Sequence, residues 1–153
     1  MVRNLPYTVE TNVQNSKEIF ELRICLETWF LLRDIHKYQE EDLRKIDAAL
    51  YSLEKVLLES RSKKTIIQAH TAFHCSLFEI TGNKQLINLV NLFSSMAMNI
   101  TVLHKASISD RKHFVAYHRN IVAAIRARDP DQLERSVREH FSEGIGWIES
   151  LSE

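Results

Sequence analysis

Apolar residues recur along most of the chain at the three- and four-residue spacing of an amphipathic helix. In one long segment, a single helical face carries Leu43, Ile46, Leu50, Leu53 and Leu57. Short polar stretches interrupt the pattern, which predicts helices over residues 16–38, 40–59, 63–80, 84–105, 109–128 and 130–151. Because the connections are short, neighbouring helices should run antiparallel. The pattern therefore predicts an all-α fold, an antiparallel bundle of six to seven helices.

The first predicted helix follows a polar and irregular N-terminal stretch. Asn15, with Glu18 three residues later, resembles a capping arrangement at its start. The apolar stripe that we expect to face the core consists of Ile19, Leu22, Leu26, Trp29 and Phe30. We interpret residues 1–15 as a linker or tail and residues 16–152 as one helical domain.

Capping residues support the later helix boundaries. Gly82 suits the left-handed end of a helix, and Asn83 can then cap the fourth helix. Ser109 is our expected start of the fifth helix. Asp129 suits the N-cap of the sixth helix and Pro130 its first position, because proline lacks the N–H that would be unpaired there.

The composition narrows the class of protein. The chain has 153 residues, of which only 3 are glycine and 2 are proline, fewer than a β-rich domain normally needs for its turns. Lys+Arg and Asp+Glu both number 20, so this chain lacks the basic excess that grips DNA. No apolar run has the length of a membrane span, and we expect a cytoplasmic protein. Cys25 and Cys75 are interpreted as buried free thiols in a reducing compartment.

Of the 7 histidines, four share the apolar face of a predicted helix. His70 and His74 lie one turn apart on the third helix, so both rings can reach one ion. His118 and His140 lie in phase with the apolar residues of the fifth and sixth helices. An unpaired polar ring in a core costs free energy, and a shared metal ion would satisfy several rings at once. Neutral imidazole is a common ligand of zinc, nickel, copper and iron.

Periodicity alone leaves a second interpretation open, in which each ring is an ordinary core residue held by a hydrogen bond. The spacing within one helix does not show that three helices converge. His36, His104 and His113 fall near helix ends or solvent and are interpreted as surface residues. Cys75 follows His74 but points about a quarter-turn away, so we do not count it as a ligand.

Four stretches of the chain occur in a recognisable order: FELRICLE (20–27), AFHCSLFEITGNKQL (72–86), HRNIVAAIRARD (118–129) and VREHF (137–141). Together they resemble the FCD domain, the ligand-sensing C-terminal domain of the FadR subfamily of GntR transcription regulators. The resemblance covers roughly residues 16–150. It implies an all-helical bundle of six or seven helices that senses an effector and is not an enzyme.

The resemblance also implies a divalent metal ion inside the bundle. Many family members hold it with an aspartate or asparagine, a histidine four residues later and two further histidines, which match His74, His118 and His140. His70 occupies the position of the aspartate, so the site would be one unit more positive. We therefore expect zinc or nickel, which accept nitrogen ligands. Alternatively, His70 forms a hydrogen bond and is not a ligand.

A small organic acid is the effector that the resemblance implies. Arg23 is our candidate to bind its carboxylate, and the alternative for Arg23 is a surface or interface salt bridge with Glu27. Helix four offers further hydrogen-bonding groups, and we take Asn99 as the candidate from the set Ser94, Ser95, Asn99 and Thr101.

The family also implies a homodimer and a DNA-binding domain. We expect the dimer to form through the early helices, where Trp29, Phe30 and Leu31 make the apolar stripe wider than one packed face needs. Family regulators carry an N-terminal winged helix-turn-helix, and residues 1–15 are too short for one. We therefore expect that this chain does not bind DNA itself. A piece of a longer regulator is our preferred explanation, and a free-standing sensor is the other.

Two other functions stay open from the sequence. A metal-free helical scaffold could bind an organic ligand directly. A histidine–metal enzyme is the weaker alternative, because di-iron bundles need inward glutamates and Glu-x-x-His pairs that the predicted helices do not supply.

Overall fold

The computed structural model describes the backbone of residues 13–100 and 106–149, and the side chains of residues 17–96 and 106–146. Over these residues the chain forms six α-helices and no strand: α1 (Val13–Asp34), α2 (Glu40–Glu59), α3 (Lys63–Ser76), α4 (Lys84–Ile100), α5 (Ile108–Ala127) and α6 (Pro130–Glu149). The predicted all-α bundle is confirmed.

Local hydrogen bonds account for most of the helix ends. Asn83 Oδ1 accepts from the backbone N–H groups of Gln85 and Leu86, both at 3.1 Å, and so caps α4 as expected. Helix α5 begins before the expected Ser109, because Ser107 and Asp110 form a reciprocal capping box. These contacts satisfy backbone groups that would otherwise lack partners at a helix end.

The predicted boundaries of α1 and α3 were wrong, and α1 also ends at Asp34, before the predicted residue 38. Helix α1 begins at Val13, so Asn15 lies inside the helix and does not cap it. Helix α3 ends at Ser76, and a 3-10 turn over Glu79–Thr81 takes the place of its predicted last turn. Gly82 closes that turn in the left-handed conformation, with φ of 62°.

The six helices form a closed ring. Each packs on two neighbours, in the cyclic order α1, α6, α5, α2, α3, α4 and back to α1. Helices α1 and α6 approach closely at Gly144, where an added Cβ would lie 2.8 Å from Cε1 of Phe20. Apolar side chains fill much of the interior, including Leu53, Leu57, Phe73, Phe78, Val90, Ile121, Leu133 and Phe141.

Helix α1 presents only part of its expected stripe to the core, where Ile19 is buried. Leu22 and Trp29 are 57% and 58% exposed, and Leu26 and Phe30 are only partly buried. The inward face carries the buried residues Ile19, Phe20, Arg23, Glu27 and Leu31. The stripe prediction was wrong for Leu22 and Trp29, because the centre of the bundle is polar and Arg23 and Glu27 of α1 are partnered there.

Two further expectations from the sequence concern the cysteines and membrane-spanning helices. Both cysteines are free thiols, but Cys25 is exposed and Cys75 is half-buried, so their expected burial was wrong. Among the described helices, none combines the length and the apolar character required to span a membrane.

Candidate metal centre

The four histidines that share apolar helix faces meet at the centre of the six-helix bundle. His70 and His74 come from α3, His118 from α5 and His140 from α6, and each is at most 4% exposed. One ring nitrogen of each lies within 4.8 Å of the corresponding nitrogen of the other three. His36 and His113 are exposed as expected, and His104 lies outside the described residues.

Three of these rings approach through their Nε2 atoms. His74 Nε2 lies 3.2 Å from His70 Nε2 and 3.2 Å from His140 Nε2. The fourth ring, His118, has its centroid 4.4 Å from that of His140 and 5.2 Å from that of His70. The four rings therefore form one compact cluster contributed by three helices.

The hydrogen bond of His118 determines which of its nitrogens can bind a ligand. Nδ1 lies 2.9 Å from the carbonyl oxygen of Phe114, which can only accept, so Nδ1 carries the proton. In the neutral ring, Nε2 then bears a lone pair. Nε2 is buried and has no hydrogen-bond partner among the described residues. An unpaired acceptor in a core costs free energy, and a metal ion beside it would supply the missing interaction.

Two other rings are also held from outside the cluster. His70 Nδ1 lies 3.1 Å from Ser94 Oγ, and His74 Nδ1 lies 3.2 Å from Glu27 Oε2. Both contacts leave Nε2 directed at the cluster. Such outer partners orient metal-binding histidines in other proteins. His140 differs, because its buried Nδ1 lacks a partner in the described part of the chain.

Burial keeps the four rings neutral. Desolvation lowers the pKa of His70, His74 and His140 well below 6.5, and the nearby charge of Arg23 adds to the effect. The pKa of His118 falls to about 4, again chiefly through burial. Neutral imidazole is the form that donates a lone pair to a metal, so the cluster is in its binding form at neutral pH.

Arg23 and Glu27 form a buried ion pair beside the histidines. Arg23 Nε donates to Glu27 Oε1 at 2.6 Å, and the exposures of the two side chains are 1% and 2%. The guanidinium Cζ lies 4.7 Å from the ring centroid of Phe141, while Nη2 has no hydrogen-bond partner in the described structure. The expected pair with Glu27 therefore exists, but it lies in the interior and not at the surface.

The groups expected on helix four are only partly described. Ser94 is buried against His70, whereas Ser95 lines a cleft of about 310 Å³ between α3 and α4, together with Cys75. The side chain of Asn99 lies outside the described residues, as does Thr101. Cys75 does not join the histidine cluster.

Sequence reasoning did not assign Glu27 a place beside the cluster. A signal was available, because Glu27 lies on the same helical face as Phe20, Arg23 and Leu31, at spacings of three and four residues. An acidic residue in such a stripe indicates a buried partner.

Most of the chain matches a known protein family. A family model described as the FCD domain matches residues 18–143. The chain belongs to the FCD domain family. YdhC of Bacillus subtilis (strain 168), which is named as an HTH-type transcriptional regulator, is 23% identical over 125 residues. These residues are 82% of this chain and 56% of YdhC, so the FCD domain described here spans little more than half of that protein.

Two further proteins are similar to this FCD domain. NedR of Micromonospora viridifaciens, named as a transcriptional regulatory protein, is 27% identical over 101 residues, which are 66% of this chain and 72% of NedR. The structure of E. coli McbR/YncC has a TM-score of 0.76 and 16% identity, covering 93% of this chain and 71% of that one. At this identity the match shows the fold alone. The chain is thus an FCD domain, and two of the proteins it is similar to, YdhC and NedR, are named as transcriptional regulators.

Proposed function

We propose that this domain senses a small carboxylic acid for a GntR/FadR-type regulator through a divalent metal ion held by His70, His74, His118 and His140. The observation that carries the proposal is the cluster itself, in which four buried, neutral imidazoles from three helices converge within 4.8 Å. The bare Nε2 of His118 needs a partner that the described residues do not offer.

The spacing of the nitrogens suits one ion. Ligand nitrogens about 2.0–2.1 Å from a metal ion lie roughly 3.0 Å apart at adjacent positions of a six-coordinate ion, which would leave two positions open for an effector. The 3.2 Å separations between His74 Nε2 and its two neighbours are close to that value. A set of four neutral nitrogen ligands favours zinc or nickel over magnesium or calcium, which prefer oxygen.

The charge of the site supports an anionic effector. A divalent ion bound by neutral rings keeps its full charge, and Arg23 adds a guanidinium whose Nη2 lacks a partner in the described structure. Glu27 offsets only one of these positive charges. We assign Arg23 to the carboxylate of the effector, with Asn99 as a second contact.

Regulation by this domain would require a second protomer and a DNA-binding domain. We infer that the domain, which we place at residues 16–152 behind the linker or tail 1–15, forms a homodimer through the exposed apolar face of α1 around Leu22 and Trp29. DNA contact belongs to a separate winged helix-turn-helix domain in a cytoplasmic regulator. Effector binding would change the relative placement of two protomers if the effector binds one arrangement more tightly.

Elemental analysis tests the metal assignment. The untagged domain, purified without chelator, should contain close to one zinc or nickel ion per chain. The His118→Ala/His140→Ala variant should contain almost none, while His113→Ala, which changes an exposed ring, should keep its metal. A wild-type protein that stays free of metal after zinc and nickel are added back would contradict the proposal.

A metal-free ligand-binding scaffold is the second candidate. The observation in its favour is that the Nε2 atoms of His70, His74 and His140 are close enough for hydrogen bonds without an ion. In that case a chelator would leave both thermal stability and binding of carboxylic acids unchanged. Family membership points to a regulatory domain and away from an enzyme.

A further inference from the structure

Glu27 connects two parts of the interior that belong to different helices. Its Oε1 accepts from Arg23 Nε at 2.6 Å on α1, and its Oε2 lies 3.2 Å from His74 Nδ1 on α3. All three side chains are at most 2% exposed. One carboxylate therefore contacts both the arginine assigned to the effector and a histidine assigned to the metal.

The chemistry of a carboxylate makes this contact directional. In its ionised form, paired with the Arg23 guanidinium, the carboxylate only accepts hydrogen bonds, so the contact with Oε2 requires the proton of His74 to lie on Nδ1. His74 Nε2 then carries the lone pair, and this is the atom that lies 3.2 Å from the Nε2 atoms of His70 and His140. The opposite tautomer would place a lone pair against the carboxylate and an N–H at the centre of the cluster.

Two other groups contact histidines of the cluster from outside it, Ser94 and the carbonyl of Phe114, and neither is charged. The Ser94 hydroxyl beside His70 can donate or accept, so it permits either tautomer. The carbonyl of Phe114 fixes His118, but it carries no charge. His140 Nδ1 has no partner among the described residues. Within the described cluster, Glu27 is thus the charged outer partner, and it acts on the ring that stands between two others.

We propose that Glu27 is a positioning residue of the metal site. Its carboxylate holds His74 in the tautomer with a free Nε2, and Arg23 holds the carboxylate in place. This inference rests on the proposed metal-binding function. Its structural basis is the continuous chain of contacts from Arg23 through Glu27 to His74.

A double substitution separates the hydrogen bond from the charges. Arg23→Met/Glu27→Met removes one positive and one negative charge, so the net charge beside the ion is unchanged. Replacement of a buried ion pair by apolar residues of similar size is often neutral for stability, whereas removal of one partner is not. Glu134 and Arg138 supply the control, because they form an i,i+4 pair at 2.8 Å on the exposed face of α6, and Glu134→Met/Arg138→Met changes the same residue types there.

Zinc affinity is measured by competition with a chromophoric chelator, and the unfolding of each metal-free variant is recorded in parallel. Loss of an outer-shell partner typically weakens metal affinity by about 10- to 100-fold, and we expect a loss in this range for Arg23→Met/Glu27→Met. The control pair should bind zinc like the wild type. A double variant that folds and binds zinc with wild-type affinity would overturn the inference.

A second measurement does not depend on metal. In the metal-free wild type, the 15N chemical shifts of the His74 ring should show the proton on Nδ1. Glu27→Gln should shift that proton toward Nε2, because the amide oxygen then accepts from Arg23 and the amide nitrogen donates to His74 Nδ1. A wild-type proton on Nε2 would contradict the inference even if zinc binds. A wild type that binds no zinc contradicts the proposed function instead, and the tautomer then decides the role of Glu27 by itself.

Discussion

His118 carries its proton on Nδ1 because the carbonyl oxygen of Phe114 can only accept a hydrogen bond. The neutral ring then has a lone pair on Nε2 that is buried and unpartnered in the described structure. His118 Nε2, together with the likewise unpartnered His140 Nδ1, distinguishes the cluster from a set of ordinary core histidines, whose nitrogens would each find a partner in the protein.

The first prediction at this scale concerns His118. Saturation with zinc at one hundred times its Kd stabilises a folded protein by about 2.7 kcal/mol, and this increment appears as a rise in melting temperature. His118→Ala should lose most of the zinc-dependent rise, because it removes one ligand. His113→Ala should retain it in full. A His118→Ala protein with an undiminished zinc-dependent rise would exclude this ring from the site.

A second prediction follows from the lowered pKa values of the buried rings. In the unfolded chain each histidine binds a proton below about pH 6.5, whereas in the folded protein the pKa of His118 is about 4 and those of His70, His74 and His140 lie well below 6.5. Below pH 6.5 the unfolded state therefore binds more protons than the folded state. The free energy of unfolding of the metal-free protein should fall as the pH is lowered.

Urea unfolding in the presence of chelator, at pH 7.5 and 5.5, measures this trend. Burial raises the pKa of Glu27, which acts in the opposite direction, but one carboxyl group opposes four rings. Zinc should make the fall steeper, because protons compete with the ion for the same nitrogens. Equal stability of the chelated protein at the two pH values would contradict neutral, buried histidines.

At the scale of the helix, Gly144 determines how closely α1 and α6 pack. The nearest atoms to a Cβ at this position belong to the ring of Phe20, at 2.8 and 3.0 Å. Phe20 is 4% exposed and also packs edge-on against Phe141. Since the ring is enclosed, it cannot simply turn away from an added methyl group.

We predict that Gly144→Ala destabilises the domain. Overpacking of this kind typically costs about 1–3 kcal/mol, which exceeds the gain of roughly 0.5–1 kcal/mol that alanine brings to a helix interior. Gly146→Ala is the matched control on the same helix. Among the described residues, no atom outside its own helix neighbours lies within 4 Å of its added Cβ, so only the helix-propensity gain should remain. Urea denaturation of both variants would refute this account if they shifted in the same direction.

Over the whole molecule, the closed ring of six helices places polar groups at the centre and an apolar surface outside. Helix α1 contributes to both. Arg23 and Glu27 point inward, and Leu22, Leu26, Trp29 and Phe30 surround an apolar surface groove together with Cys25. Helix α1 therefore exposes an apolar face, and we predict that a second copy of the domain covers it.

The prediction at this scale is a dimer that depends on Trp29. Light scattering should give twice the monomer mass for the wild-type domain. Trp29→Glu should yield monomers, because the dimer would have to bury an unpaired carboxylate. Tyr51 on α2 is 68% exposed and provides the control, since Tyr51→Glu places the same charge on another surface. A monomeric wild type, or a dimeric Trp29→Glu protein, would contradict the α1 interface.

Much of the fold followed from local pattern. The spacing of Leu43, Ile46, Leu50, Leu53 and Leu57 predicted α2, which the structure confirms from Glu40 to Glu59. Gly82 ends the 3-10 turn because glycine readily adopts the left-handed conformation, and Asn83 begins α4 because its side chain can cap a helix. Both are properties of single residues and can be predicted from the sequence. The phase of the four histidines was also readable, since helical spacing alone places each of them on an apolar face.

Other features depended on packing between helices that are distant along the chain. Phase places His74 and His140 on inward faces, but only the ring order brings their Nε2 atoms to 3.2 Å. Helix α1 carries apolar residues on two faces, and the expected stripe included Leu22 and Trp29, which the structure exposes. It left out Arg23 and Glu27, which the structure buries. The inward choice is stable because Glu27 finds Arg23 four residues away and His74 on another helix, 47 residues along the chain. Periodicity places Glu27 on the face of Phe20 and Leu31 but does not identify His74 as its partner, so the orientation of α1 and the contacts of Glu27 emerge only from the assembled bundle.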